Sequence, residues 1–235
     1  MTSTDMKLDE FSDIARLFFE HRQLASKIIP FAIDAKSNDG AHDLAHIARV
    51  WANARRIAEV EGGDLEVIVA AVILHDCVAV EKNSPLRKKA SFLAAERATE
   101  ILQSIGWSDD RCSLVAHAIQ AHSFSADVKP QPLEACIVQD ADRLDAIGLI
   151  GVARCFYTAG RMGTELYNVS DPKGDSRELQ DRCFALDHFP AKLLKLSANF
   201  RTKQGAKIAR LRHQLLIDFY NGFLDELAGN GCVDS

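Results

Sequence analysis

The chain has 235 residues, 47% hydrophobic and 26% charged, enough for one large domain or two small ones with a real core, which excludes global disorder. Its net charge of -5 argues against a role built on the phosphate backbone, and 12 Phe against 3 Tyr and 2 Trp make exposed stacking platforms for nucleic acid unexpected. No apolar run approaches the roughly 20 residues that cross a bilayer, and the start MTSTDMKLDEFSD shows no basic stretch followed by an apolar one, so neither membrane nor secretory signal is expected.

In chain order, Leu8, Phe11, Ile14, Ala15, Phe18 and Phe19 recur at three and four, predicting a first amphipathic helix. Leu44, Ile47, Val50, Trp51, Ala54, Ile57 and Ala58 repeat the pattern up to Gly62-Gly63, a stop. Asp64 then stands as a candidate N-cap, with Glu66 in the first turn. The run Val67 to Leu74 could by itself be a buried strand. Its capped start, its two alanines and the lack of a hairpin signal make it a buried helix. Further helices are read at about 88–105, 109–122, 132–160, 176–186, 188–200 and 204–228. Breaks fall at Asn83-Ser84-Pro85, at Gly106, at Lys129-Pro130-Gln131-Pro132 and over Asn168 to Ser176. No segment alternates strictly, and no repeat or linker appears. The expected fold is all-α, a single domain over 1–235.

The six cysteines (Cys77, Cys112, Cys136, Cys155, Cys183 and Cys232) are scattered, with no CxxC pair. That pattern speaks against a zinc ribbon or a disulfide framework and for buried small hydrophobes in a reduced, cytoplasmic protein.

Three polar clusters interrupt the apolar helices. His42, His46, Arg49 and Asn53 follow i, i+4, i+7, i+11 and share one helical stripe. His75-Asp76 ends the apolar run, and Asp140, Asp142 and Asp145 lie in IVQDADRLDAIGLIGVA. A lone helical histidine is usually a surface or hydrogen-bonded core residue. A carboxylate buried without a partner costs several kcal/mol, and one divalent ion would relieve that cost for Asp76 and Asp142 together. Neutral imidazoles and ionised carboxylates suit transition metals. Both readings stand open on composition and spacing.

DLAHIARV, AAVILHDCV and QDADRLDAIG, in that order and with AHSFS between the last two, resemble the HD superfamily of metal-dependent phosphohydrolases. The likeness is to its bacterial single-domain members with an HDxxHxxRV start, and it spans roughly residues 40–160. It implies a helical bundle of the HD type, with a metal-binding core over about 40–160 and C-terminal helices over about 176–228. It also implies His46, His75, Asp76 and Asp142 as metal ligands. Asp142 is preferred to Asp140 because ADRL matches the family position, and because Asp142 would share an inward stripe with Ala146, Leu149 and Ala153. Asp140 and His42 are then supporting residues.

His122, within AHSFS, is a candidate to protonate a leaving oxygen, whereas His117 reads as a structural helix residue. The stringent-response relatives carry an acidic pair shortly after His-Asp. Here the stretch is CVAVEKN, so Glu81 is a displaced catalytic candidate and Lys82 a candidate phosphate cation. Arg49, one turn after His46, and Arg143 are further substrate-binding candidates, ahead of Lys88, Lys89 and Arg154.

The resemblance implies hydrolysis at phosphorus by metal-activated water. The expected metal is Mn, with Fe, Co, Ni or Zn as alternatives, and Mg is less suited to two imidazoles. The expected substrate is a nucleotide such as a nucleoside or deoxynucleoside triphosphate, or another small phosphorylated metabolite. The protein is expected to bind neither polymeric nucleic acid nor membrane, and a homodimer is conceivable. The alternatives are a phosphodiesterase or phosphomonoesterase, a di-iron oxygenase using His117 and His122, and a non-catalytic metal and nucleotide sensor.

Overall fold

A computed structural model describes residues 11–32, 44–80, 84, 86, 89–123 and 126–229. Among these, helices alternate with turns and no strand forms; the one β-type contact is an isolated parallel bridge between Glu165 and Phe184. The all-α expectation holds. Two compact units are present, Met1–Asp142 and Arg143–Ser235.

The first unit contains α1 (residues 11–16), α2 (Arg22–Ile28), α3 (Leu44–Glu61), α4 (Leu65–Leu74), α5 (Ala90–Ser104), α6 (Asp109–His122) and α7 (Leu133–Asp145). α4 is its central rod. Every residue from Val67 to Leu74 is fully buried, and α2, α3, α5 and α6 pack around it. The start of α4 is set as expected: the Asp64 carboxylate accepts the N–H groups of Glu66 and Val67 at 2.9 and 3.2 Å. α3 buries the periodic face read from the sequence, and its Trp51 stacks on Phe18 and donates its indole N–H to the Leu17 carbonyl.

The first helix is shorter than its periodicity suggests. It stops after residue 16, and Phe19 turns outward with φ +46, beneath the Arg55 guanidinium. Phe18 and Phe19 thus part company, because only one of two adjacent aromatics can reach Trp51.

The second unit contains α8 (Gly148–Met162), α9 (His188–Ala191) and α10 (Lys203–Leu227), with α8 packed on α10. Rings of Phe156, Phe189, Phe219, Tyr220 and Phe223 cluster there at 5.6–6.1 Å. Three expectations need correction. The helix read over 132–160 is two helices. It stops at Asp145, and Gly148 opens the next with φ +73, where a Cβ would lie 3.1 Å from Arg212. The stripe from Asp142 through Ala146, Leu149 and Ala153 therefore does not exist, and Leu149 is 59% exposed.

The helix read over 176–186 is a series of turns, and that over 188–200 shrinks to α9 and one short turn at Leu193–Lys195. The C-terminal helices of 176–228 reduce in the main to α10. The reason lies in two aspartates. Asp171 accepts the N–H groups of Gly174, Asp175 and Ser176, while buried Asp187 accepts both arms of Arg177 and the N–H of Gln180. Asp187 thus takes the Gln180 N–H, a donor that a helix over 176–186 would use, and Asp171 ties the preceding residues into a turn. No helix among the described residues is long and apolar enough to cross a membrane.

Candidate metal centre

The geometry of this centre starts at the C-terminal end of α4. His75 caps that helix, is 1% exposed, and its Nδ1 lies 2.8 Å from the Val72 carbonyl oxygen. A carbonyl only accepts, so Nδ1 carries the proton and Nε2 is left with its lone pair. α3 brings His46, also 1% exposed, so that its Nε2 lies 3.2 Å from that of His75. α7 brings Asp142, whose Oδ1 is 3.5 Å from His46 Nε2 and 4.0 Å from His75 Nε2. Asp76 follows His75 directly and places Oδ2 3.5 Å from His75 Nε2.

His122, the last residue of α6, joins from the other side. Its Nε2 is 3.8 Å from Asp76 Oδ1, and its ring meets that of His75 edge-on. Its Nδ1 donates to the Ile119 carbonyl at 2.6 Å, so its Nε2 also faces the centre as an acceptor. Burial pushes the His122 imidazole below its ordinary range, and the neighbouring His75 adds to the effect.

The donor set fits a divalent cation. His46, His75 and Asp142 form one trio of ligand atoms within 4.8 Å of one another, and His75, Asp76 and His122 form another. Two ligands at right angles, each about 2.1 Å from an ion, lie about 3.0 Å apart. That is close to the His46–His75 separation of 3.2 Å. Two carboxylates in the same half-buried pocket repel each other, and a dication between them removes that cost. The trios contain Asp142 and not Asp140, which is fully buried in α7.

The remaining sequence candidates separate clearly. Arg49 is half-buried on α3, one turn beyond His46. Arg143 points its guanidinium at backbone carbonyls of Leu196, Ala198 and Asn199, at 3.1, 2.7 and 3.0 Å, and over the Phe200 ring. Its donors hold a turn together. Arg154 pairs with buried Asp145 at 2.6 Å. Lys89 is exposed. His117 accepts the Gln131 N–H on its Nε2, in keeping with a structural role. Glu81, Lys82, His42 and Lys88 lie outside the described residues. Cys77, next to Asp76, is buried, and that burial pushes its thiol up to about 12, so it stays a neutral hydrophobe. Cys183, by contrast, is exposed.

Two buried amides escape a reading of the sequence as a set of clusters. Asn53 appears there only as the end of the α3 stripe, and Gln139 not at all. The signal for both is a polar side chain at an apolar-periodic position of a helix.

Comparison with known proteins places this centre in a family. Residues 43–147 match the HD domain. The uncharacterized protein YpgQ of Bacillus subtilis (strain 168) is 32% identical over 192 residues, covering 80% of this chain and 85% of YpgQ. A crystal structure of B. subtilis YpgQ in complex with ADP is similar with a TM-score of 0.65 at 31% identity, over 85% of this chain and 94% of that one. An HD-superfamily hydrolase from Bacillus thuringiensis is similar with a TM-score of 0.63 at 27% identity, over 95% and 98% of the two chains. The ordered His46, His75-Asp76 and Asp142, gathered at the end of a buried helix, agree with that likeness: the chain belongs to the HD superfamily of metal-dependent phosphohydrolases.

Proposed function

We propose that this phosphohydrolase acts on a nucleotide, a nucleoside or deoxynucleoside triphosphate, with Mn or another divalent transition metal held by His46, His75, Asp76 and Asp142. The observation that carries the reading is the convergence of two imidazole Nε2 atoms and a carboxylate oxygen within 4.8 Å at the end of α4. When bound, such a metal lowers the pKa of water from about 16 toward 7 and neutralises charge on phosphoryl oxygens.

The protein's own residues supply the rest. The Val72 carbonyl fixes the tautomer of His75, and the buried helices around it hold the ligand atoms in place. His122, kept neutral by burial and oriented by the Ile119 carbonyl, presents Nε2 as an acceptor. It can take a proton from water and return it to the leaving oxygen. Arg49, on the same stripe as His46, supplies positive charge for a substrate phosphate. That YpgQ has been crystallised with ADP supports a nucleotide as the ligand class. Glu81 and Lys82 keep the acid–base and phosphate-binding roles read from the sequence.

A specific observation favours this over a two-iron oxygenase. Among the described residues both candidate trios share His75, and one imidazole nitrogen serves one ion. The Nε2 of His117, which a second ion would need, already accepts the Gln131 N–H.

The test is release of phosphate and pyrophosphate from a panel of nucleotides by metal-stripped protein resupplied with Mn, Co, Ni, Zn or Mg, beside Asp76→Ala. Turnover that needs metal and disappears in the variant is expected. Tight metal binding without turnover on any nucleotide would move the substrate to another phosphorylated metabolite, or the protein to a sensor.

A further inference from the structure

α3 meets α7 through His46 and Asn53, which share one face. His46 approaches Asp142 at 3.5 Å. The side-chain amide of Asn53, two turns beyond His46, donates to the Ala141 carbonyl at 3.0 Å. α7 is held from a second side as well, since Gln139 donates its amide to the Ala121 carbonyl of α6 at 2.6 Å. Both amides are buried, 6% and 7% exposed. Each acceptor is the carbonyl directly before a residue of the metal centre, Asp142 in one case and His122 in the other.

Physical reasoning separates these bonds from ordinary packing. The buried apolar residues of α7, Ala135, Ile137, Val138, Ala141 and Leu144, make van der Waals contacts only. Such contacts resist separation but hold axial position weakly, because a small shift exchanges one methyl contact for another. A buried amide bonded to a carbonyl has no such freedom. A shift of one ångström leaves a desolvated donor unmet. The Ala121 carbonyl also lies in the last turn of α6, where carbonyls lack an intrahelical partner.

We propose that Asn53 and Gln139 are positioning residues for the metal centre: two amide clamps that set the height of α7, and so place the Asp142 carboxylate against His46. This rests on the reading of His46, His75, Asp76 and Asp142 as metal ligands. In this role both amides act through the backbone of α7.

The experiment compares full-length, metal-stripped wild type with Asn53→Leu, which keeps the side-chain size and removes the donor. Ile57→Val, a buried change one turn further along α3, is the packing control. Mn(II) affinity is read from the electron paramagnetic resonance of free Mn(II), and site geometry from the visible absorption of the Co(II)-loaded protein. Asn53→Leu is expected to weaken Mn(II) binding by about tenfold, in the range of changes around metal ligands, and to alter the Co(II) spectrum. Ile57→Val is expected to lower the melting temperature and leave both readouts unchanged.

If Asn53→Leu does not fold, Asn53→Ser and Gln139→Met are read in the same way. Mn(II) affinity within twofold of wild type in the folded variants overturns the clamp, as does an equal loss in Ile57→Val. Wild type that binds no Mn(II) overturns the metal reading along with it, and is told apart because the failure is then in the parent protein.

Discussion

The Nε2 atoms of His46 and His75, 29 residues apart in the chain, meet at 3.2 Å inside a buried pocket. The proton on His75 Nδ1 is held by the Val72 carbonyl, so its lone pair has to face His46. That arrangement is suited to a cation shared between α3 and the end of α4.

Removing a ligand atom from this centre should empty it. Asp142→Asn keeps the shape of the carboxylate and removes its charge, and His46→Ala removes an imidazole. Each is expected to abolish stoichiometric metal binding and to lower turnover by at least about 100-fold. Elemental analysis after gel filtration and phosphate release measure the two effects, with circular dichroism showing that the helices persist. Full metal occupancy in Asp142→Asn would contradict its assignment as a ligand.

Metal and stability should be linked. A ligand that binds only the folded state at 100 times its dissociation constant adds about 2.7 kcal/mol. Chelation is therefore expected to lower the melting temperature, and resupplied Mn, Co, Ni or Zn to restore it more fully than Mg. A differential scanning experiment with each metal reads this directly. An unchanged melting temperature with every metal would speak against a bound ion at His46, His75, Asp76 and Asp142.

For His122 the expected loss is in the chemical step. His122→Gln keeps hydrogen-bonding capacity but cannot exchange a proton, and kcat should fall by about 100-fold or more with KM little changed. Steady-state kinetics at saturating metal separates this from a ligand role. If metal affinity falls together with kcat, His122 belongs among the ligands instead.

Asp187 gives a prediction about pH. Burial works against its charge, but the paired hydrogen bonds from Arg177 and the Gln180 N–H outweigh that effect and hold the carboxyl below the usual carboxylate range. A depressed folded pKa means stability that is fully present above the unfolded value of about 3.9 and is lost as pH falls through the folded one. Asp187→Asn leaves Arg177 facing a neutral group and should cost about 3 kcal/mol at neutral pH. Melting curves from pH 7 downward should show the gap between wild type and variant hold to about pH 4 and then close. A gap that persists unchanged into stronger acid would refute the pairing as its source.

Much of this protein was legible in its sequence wherever the information is local. α3, α4, α5, α6 and α10 follow a hydrophobic period or a capped apolar run that packing had no reason to override, and the Asp64 cap and the stop at Gly106 are chemistry within a few residues. The ordered His46, His75-Asp76 and Asp142 could be named as a candidate set through the resemblance of their motifs to the HD superfamily, whereas composition and spacing alone left the metal site open.

Tertiary structure decided where long side chains spend their hydrogen bonds and where a helix may continue. Arg143 stands in the sequence as a candidate phosphate cation, and the fold turns its donors toward the carbonyls of Leu196, Ala198 and Asn199. The apparent helix over 132–160 breaks where Gly148 takes φ +73 against Arg212 of α10, and the one over 176–186 gives way to turns held by Asp171 and Asp187. In each case the competing partner is distant in the chain or lies in a turn whose geometry the folded backbone sets. A helical period carries no record of such a partner, because it reports which side of a segment is buried and not what that side will meet.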